Sequence, residues 1–133
     1  MSRYLYHCPL RWSDLDAYGH VNNARFLTLY EEARVALMFV EAGKAGVKSF
    51  SRGIVISRHE VDYLRPVDYT DGVRVELWIE EIRASRFTVA YELFDGEAVA
   101  SRARTTCVPY DLTGGRPRRL TDAEREFLEP WRD

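Results

Sequence analysis

Apolar and polar residues follow two rhythms along this chain, and the change of rhythm divides it. From residue 22 to about 42, Phe26, Tyr30, Ala33, Leu37 and Val40 recur at helical spacing. Arg25, Thr28, Glu31 and Glu32 form a narrow polar stripe over the first half of this stretch. Residues 35–40 are apolar on every side, the pattern of a helix buried all round. Gly43 and Gly46 end it. Beyond them a period of two takes over. Val73, Val75, Leu77 and Ile79 alternate with Arg74, Glu76, Trp78 and Glu80, and Phe87, Val89, Tyr91 and Leu93 repeat the pattern. Asp95-Gly96 is a hairpin turn signal, with residues 97–110 as the partner strand. Residues 53–65 read as a further strand that Pro66 stops. Residues 4–12 read as the first, pushed by Pro9 toward a sheet edge or a bulge. Gly114, Gly115 and Pro117 break the chain before a short helix over residues 121 to about 131. There Thr121 and Glu124 make a capping box.

The order is therefore strand, long helix, four strands, short helix: an α+β chain. One apolar helix and one antiparallel sheet must bury each other's faces, and the economical solution is a sheet curled around the helix. A single such unit leaves a helix flank and a sheet edge uncovered, which predicts a homo-oligomer.

Composition narrows the function classes. At 133 residues the chain is expected to form one domain over residues 1–133. Nineteen basic and 21 acidic side chains leave a net charge of −2, which points to neither a nucleic-acid nor a membrane-surface partner. No basic-then-apolar leader and no bilayer-length apolar run occur, and the two cysteines, Cys8 and Cys107, have no metal-type or disulfide-framework spacing. A reducing cytoplasm and no bound metal are the expectation.

The candidate chemistry lies in Asp16-Ala17-Tyr18-Gly19-His20-Val21, directly before Asn22-Asn23 at the helix start. A carboxylate, a glycine turn, a histidine and a set of free helix N–H donors fall together, as acyl-transfer chemistry requires. Asp16 reads equally as a turn former. Asp14 lies nearer the strand end and is the better turn former. His20 is four residues from Asp16, and histidine is the residue type suited to acid–base work near neutrality. Asn22 and Asn23 are first of all helix caps. Glu31, Glu32 and Arg34 read as an ion-pair face of the helix, and His59 and Glu60 as strand residues facing solvent or an interface. Arg83, Ser85 and Arg86 sit at a strand turn, where a solvated turn or a phosphate contact are the two readings. Arg116, Arg118 and Arg119 read as a solvated basic patch. No Ser nucleophile elbow is present.

Residues 11–26, Arg-Trp-Ser-Asp-Leu-Asp-Ala-Tyr-Gly-His-Val-Asn-Asn-Ala-Arg-Phe, with Tyr30-Glu31-Glu32-Ala33-Arg34 and Tyr63-Leu64-Arg65-Pro66-Val67, resemble the 4-hydroxybenzoyl-CoA thioesterase family of hot-dog-fold acyl-CoA thioesterases. The run from His20 to Arg25 looks especially like the bacterial long-chain acyl-CoA thioesterase subgroup. The resemblance implies a five-stranded antiparallel sheet around one helix, and dimers or dimers of dimers with the active site between subunits. It implies hydrolysis of an acyl-CoA with no cofactor, coenzyme A being part of the substrate. By position Asp16 matches the family's catalytic carboxylate, nucleophile or general base. Asn23 matches the position whose backbone N–H polarises the thioester carbonyl, and His20 a position that varies between histidine and aliphatic residues. Gly19, Val21, Asn22, Phe26 and Tyr30 are expected around the substrate, and Arg83, Ser85 and Arg86 at coenzyme A. The competing readings are a hot-dog enoyl-thioester hydratase or dehydratase, with His20 as base, and a non-catalytic acyl-CoA-binding module.

Overall fold

The computed structural model describes residues 2–133. Five strands, β1 (Tyr4–His7), β2 (Ile54–Tyr63), β3 (Val73–Ile82), β4 (Phe87–Asp95) and β5 (Ala98–Asp111), form one antiparallel sheet in the order β1-β3-β4-β5-β2. A two-residue strand, β6 (Arg116–Pro117), adds to the end of β5. The long helix begins as α1 (Asn23–Val35) and runs on through a π-turn segment (Ala36–Glu41) into Ala42–Lys44. A short C-terminal helix (Asp122–Leu128) follows the sheet, with the Thr121–Glu124 capping box formed in both directions. This is the sheet-around-helix arrangement that the sequence pattern and the resemblance imply. Among the described residues no helix is long and apolar enough to cross a membrane.

Alternation along the strands builds the core. Val73, Val75, Leu77 and Ile79 of β3 and Phe87, Val89, Tyr91 and Leu93 of β4 are buried against Phe26, Leu29, Tyr30, Ala33 and Leu37 of the helix. Each large side chain so buried contributes about 1.5–3 kcal/mol. The opposite face of the sheet is charged. Arg3 reaches Glu92 at 2.7 Å and Glu76 at 3.2 Å, Arg102 reaches Glu92 at 2.9 Å, and the Arg3 guanidinium lies 4.0 Å over the Trp78 ring.

Three local expectations are corrected. The first strand stops at His7 rather than at residue 12, because Pro9 has no N–H to extend the ladder; residues Trp12–Asp14 turn as a 3-10 helix instead. The stretch 35–40 is not buried all round: Leu37 and Met38 are, but Val35, Phe39 and Val40 are 40%, 50% and 52% exposed. The sheet covers one side of the helix only, and those three residues face away from it. Arg118 is no solvated patch residue. Its guanidinium forms a bidentate pair with buried Glu124, 2.9 Å at each nitrogen, while Ser49 donates to the same carboxylate at 2.8 Å. Burial pushes the Glu124 carboxyl up, but these bonds outweigh it and hold the group below the ordinary range. The pair fastens the C-terminal helix to the segment before β2.

Candidate active site

The loop between the 3-10 turn and α1 closes on itself. Asp16 N–H donates to the His20 carbonyl at 2.8 Å, and Gly19 N–H donates back to the Asp16 carbonyl at 3.1 Å. Leu15 and Val21 bridge across the loop's base. Gly19 takes φ +80°, in the left-handed region that disfavours a side chain, and open space surrounds it, so its role is conformational. Two outer ties hold the loop. Val21 N–H donates to Val67 O at 2.7 Å, and Asn22 N–H to Asp14 O at 2.9 Å.

Within this frame Asp16 has one anchored oxygen. Its Oδ1 accepts from Tyr18 N–H at 2.9 Å and from His20 N–H at 3.4 Å, the first being the side-chain turn that Asp favours. Oδ2 takes no hydrogen bond from the described residues. The turn-forming and the chemical readings of Asp16 thus coexist on its two oxygens. The His20 ring does not meet that carboxylate. Its Nε2 lies 3.5 Å from Asp68 Oδ1, a half-exposed contact that is an ion pair only when the ring is protonated and is then worth under about 1 kcal/mol.

At the helix start Asn22 is the N-cap, its side chain accepting from Ala24 N–H at 2.9 Å. Arg25 N–H donates to the Asn22 carbonyl at 2.9 Å. Asn23 N–H, first in the helix, has no acceptor among the described residues. It is one of the orphan donors of a helix N-terminus, at the positive end of the helix dipole.

Asp16, His20, Val21, Asn23 and Phe26 come together along one groove of about 380 Å³, whose opposite wall is Tyr63, Leu64, Arg65 and Pro66 from the end of β2. Tyr63 Oη donates to the Asn23 carbonyl at 2.8 Å, and the Tyr63 and Phe26 rings meet edge to face at 5.1 Å. The remaining expected site residues lie elsewhere. Asn22 caps the helix outside the groove. Tyr30 is 1% exposed, and its hydroxyl donates to Ser101 Oγ at 2.6 Å inside the core. Arg83, Ser85 and Arg86 are exposed in the β3–β4 turn. Strand register places that turn beside Cys107 and Ile56, whereas Tyr63 aligns with Ser101, Leu93 and Val75, roughly 20 Å away along the strands.

The wall residues and Asp14 are what residue-by-residue reading missed. The signal for the wall was an aromatic, a leucine and an arginine at a strand end ahead of Pro66. Asp14 forms its turn, as expected, but does so as a buried anchor. Its side chain is wholly buried, accepting from Arg11 N–H at 2.8 Å and from the Arg11 guanidinium, with Arg25 Nε 2.8 Å away but off the line of its N–H. Arg34, read as part of an ion-pair face, is also buried. It donates to Tyr91 Oη at 2.9 Å, with Glu31 at 3.8 Å. His59 is exposed, as expected, with its Nδ1 2.9 Å from Oγ1 of buried Thr105. Partial burial and the Arg34 charge lower its pKa. Among the described residues no group of three His, Cys, Asp or Glu is placed to hold a metal ion.

A half-anchored carboxylate and an unpaired helix N–H in one partly apolar groove can activate water, or attack directly, and stabilise an oxyanion. Residues 10–129 match the thioesterase-like superfamily. A 1,4-dihydroxy-2-naphthoyl-CoA hydrolase from Nostoc punctiforme is 29% identical over 130 residues, covering 95% of this chain and 86% of that protein. The structure of a predicted thioesterase from Bacillus stearothermophilus superposes with a TM-score of 0.86 at 27% identity, over 99% of this chain and 98% of the other. A Thermus thermophilus thioesterase complexed with coenzyme A and Zn superposes with a TM-score of 0.80 at 31% identity, over 96% and 92%.

Proposed function

The chain belongs to the thioesterase-like superfamily, a family of thioester hydrolases, and from that membership we propose that it hydrolyses acyl-coenzyme A at the groove beside Asp16. The observation that carries the reading is the unequal use of the two Asp16 oxygens. Oδ1 is held by the loop, Oδ2 takes no hydrogen bond from the described residues, and Asp16 lines the same groove as Asn23, whose N–H has no acceptor there.

As general base, Asp16 takes a proton from water while the water oxygen bonds to the thioester carbon. The carbonyl electrons move onto oxygen, where Asn23 N–H donates to them. The oxyanion then collapses, the carbon–sulfur bond breaks, and the departing thiolate takes up a proton. As nucleophile, Asp16 bonds to the same carbon first, the carbon–sulfur bond breaks and the thiolate leaves to take up a proton, and water then cleaves the resulting anhydride into the free acid and the Asp16 carboxylate. In either route a thioester carbonyl needs little more than a placed carboxylate and a preset donor, because its resonance stabilisation is weak. The reaction draws on no cofactor. His20 lends no support to a hydratase, since its ring faces Asp68 rather than the carboxylate. The test is thiol release from a panel of straight-chain and aromatic acyl-CoA thioesters. Release from at least one is expected; binding of the panel without release would leave only a binding module.

The second half of the proposal is that two copies complete the site. β2 is a ten-residue edge strand with no partner on its outer side among the described residues, and Val55 on it and Val35, Phe39 and Val40 on the neighbouring helix are exposed. An open edge beside apolar side chains is covered when a second copy docks. The protein is expected to sediment as a dimer or a dimer of dimers. Phe39→Glu should shift it toward monomer and reduce thiol release, and a wild-type monomer with full activity would sink this part.

A further inference from the structure

We infer that Tyr63 is a positioning residue for the oxyanion donor: its hydroxyl ties the Asn23 backbone, whose N–H has no acceptor among the described residues, to the opposite wall of the groove. The inference rests on the hydrolase reading above.

The argument begins with how the first turn of α1 is held. On the upstream side Asn22 is fixed at three points: its N–H to Asp14 O, its side chain to Ala24 N–H, and its carbonyl from Arg25 N–H. Those bonds hold the peptide that enters Asn23, through the Asn22 carbonyl, and the one that leaves it, through Ala24 N–H, but all from the loop side. The leaving peptide carries the Asn23 carbonyl, and Tyr63 Oη donates to it at 2.8 Å. The bond joins two elements separated by 40 residues, the helix start and the far end of β2. Asn23 is exposed, so packing does not restrain it. The Tyr63 ring is itself placed by its edge-to-face contact with buried Phe26. A donor set by rigid neighbours acts without reorganising when charge develops, and small misplacements of such groups are costly in rate.

Nothing about core stability calls for this hydroxyl. Tyr63 is 46% exposed, and its ring would pack against Phe26 equally well as phenylalanine. The Asn23 carbonyl, near the helix start, also faces the next turn of its own helix. What the tyrosine adds is a second tie on Asn23 from across the groove.

Tyr63→Phe removes that tie and keeps the ring. For benzoyl-CoA and octanoyl-CoA it is expected to lower kcat roughly 10-fold, a part of the 10²–10³ lost when such a donor is removed outright. KM should change less than about 2-fold, because the donor's bond to the neutral carbonyl is worth far less than its bond to the oxyanion. A spectroscopic readout separates positioning from general loosening. Benzoyl-CoA labelled with carbon-13 at the thioester carbonyl is bound to Asp16→Asn and to the Asp16→Asn, Tyr63→Phe double variant, and its carbonyl stretch is read by infrared difference. Polarisation should lower the band in the first protein, and the band should move back toward its free position in the second. An unchanged kcat in Tyr63→Phe, or a kcat loss with an unmoved band, overturns the inference and leaves the hydrolase reading standing. A wild-type protein that releases no thiol overturns the hydrolase reading and this inference with it.

Discussion

Asp16→Asn is expected to lower kcat for thiol release roughly 1,000-fold, within the 10²–10⁴ that a placed base contributes, while leaving the fold and acyl-CoA binding intact. The substitution separates the two jobs of this side chain. An asparagine oxygen can still accept from Tyr18 and His20 N–H, so the turn that Oδ1 supports is retained. The free oxygen is replaced by an amide NH₂, which can neither take a proton from water nor attack a carbonyl. The melting temperature and the affinity for a non-hydrolysable acyl-CoA thioether should therefore stay close to wild type. A folded variant with full turnover would mean that Asp16 is a turn residue only, and that the groove's chemistry lies elsewhere.

Much of the fold was legible because two periodicities carry it. The alternation at Val73 to Ile79 and Phe87 to Leu93 matches the buried faces of β3 and β4, and the helix was located to within two residues at each end. Where reading failed, it failed for physical reasons. The all-round apolar stretch at residues 35–40 predicts a burial that one sheet does not supply, and Phe39 stands half exposed. Arg34 and Arg118 look like surface charges by type, yet Arg34 is buried and Arg118 partly so because Tyr91 and Glu124 lie across from them, and those pairings span 57 and 6 residues. Tyr30 sits on the same helical stripe as Phe26, one turn along, but that turn carries it under the sheet to Ser101 and away from the groove. For the site, the loop residues Asp16, Gly19 and His20 could be found locally. The opposing wall could not be assigned a place, since Tyr63 reaches Asn23 only through the sheet.

The other large effect concerns the residue next to this chemistry that takes no part in it. Asp14→Asn is expected to destabilise the protein by about 3 kcal/mol, or about 10 °C in melting temperature. The Asp14 carboxylate has no exposed surface, and two arginines from different elements converge on it, Arg11 from the turn and Arg25 from the helix. Neutralising it leaves Arg25, largely buried, without its closest counter-charge, and it weakens the turn whose Asp14 carbonyl receives Asn22 N–H. The pH dependence has a definite sign. Burial pushes the Asp14 carboxyl up, but the hydrogen bonds from Arg11 and the Arg25 charge outweigh it and hold the group below the ordinary carboxylate range. Its stabilisation is thus present above the unfolded pKa of about 3.9 and is lost as pH falls through the lower folded value. Melting curves of wild type and Asp14→Asn should lie far apart at neutral pH and converge in acid. Because the loosened turn is the one that holds Asn22 against the loop, kcat should fall as well, in contrast to Asp16→Asn, where activity is lost and stability is not. A difference in melting temperature that stays constant into acid would show that packing, not the charge of Asp14, holds this corner of the site.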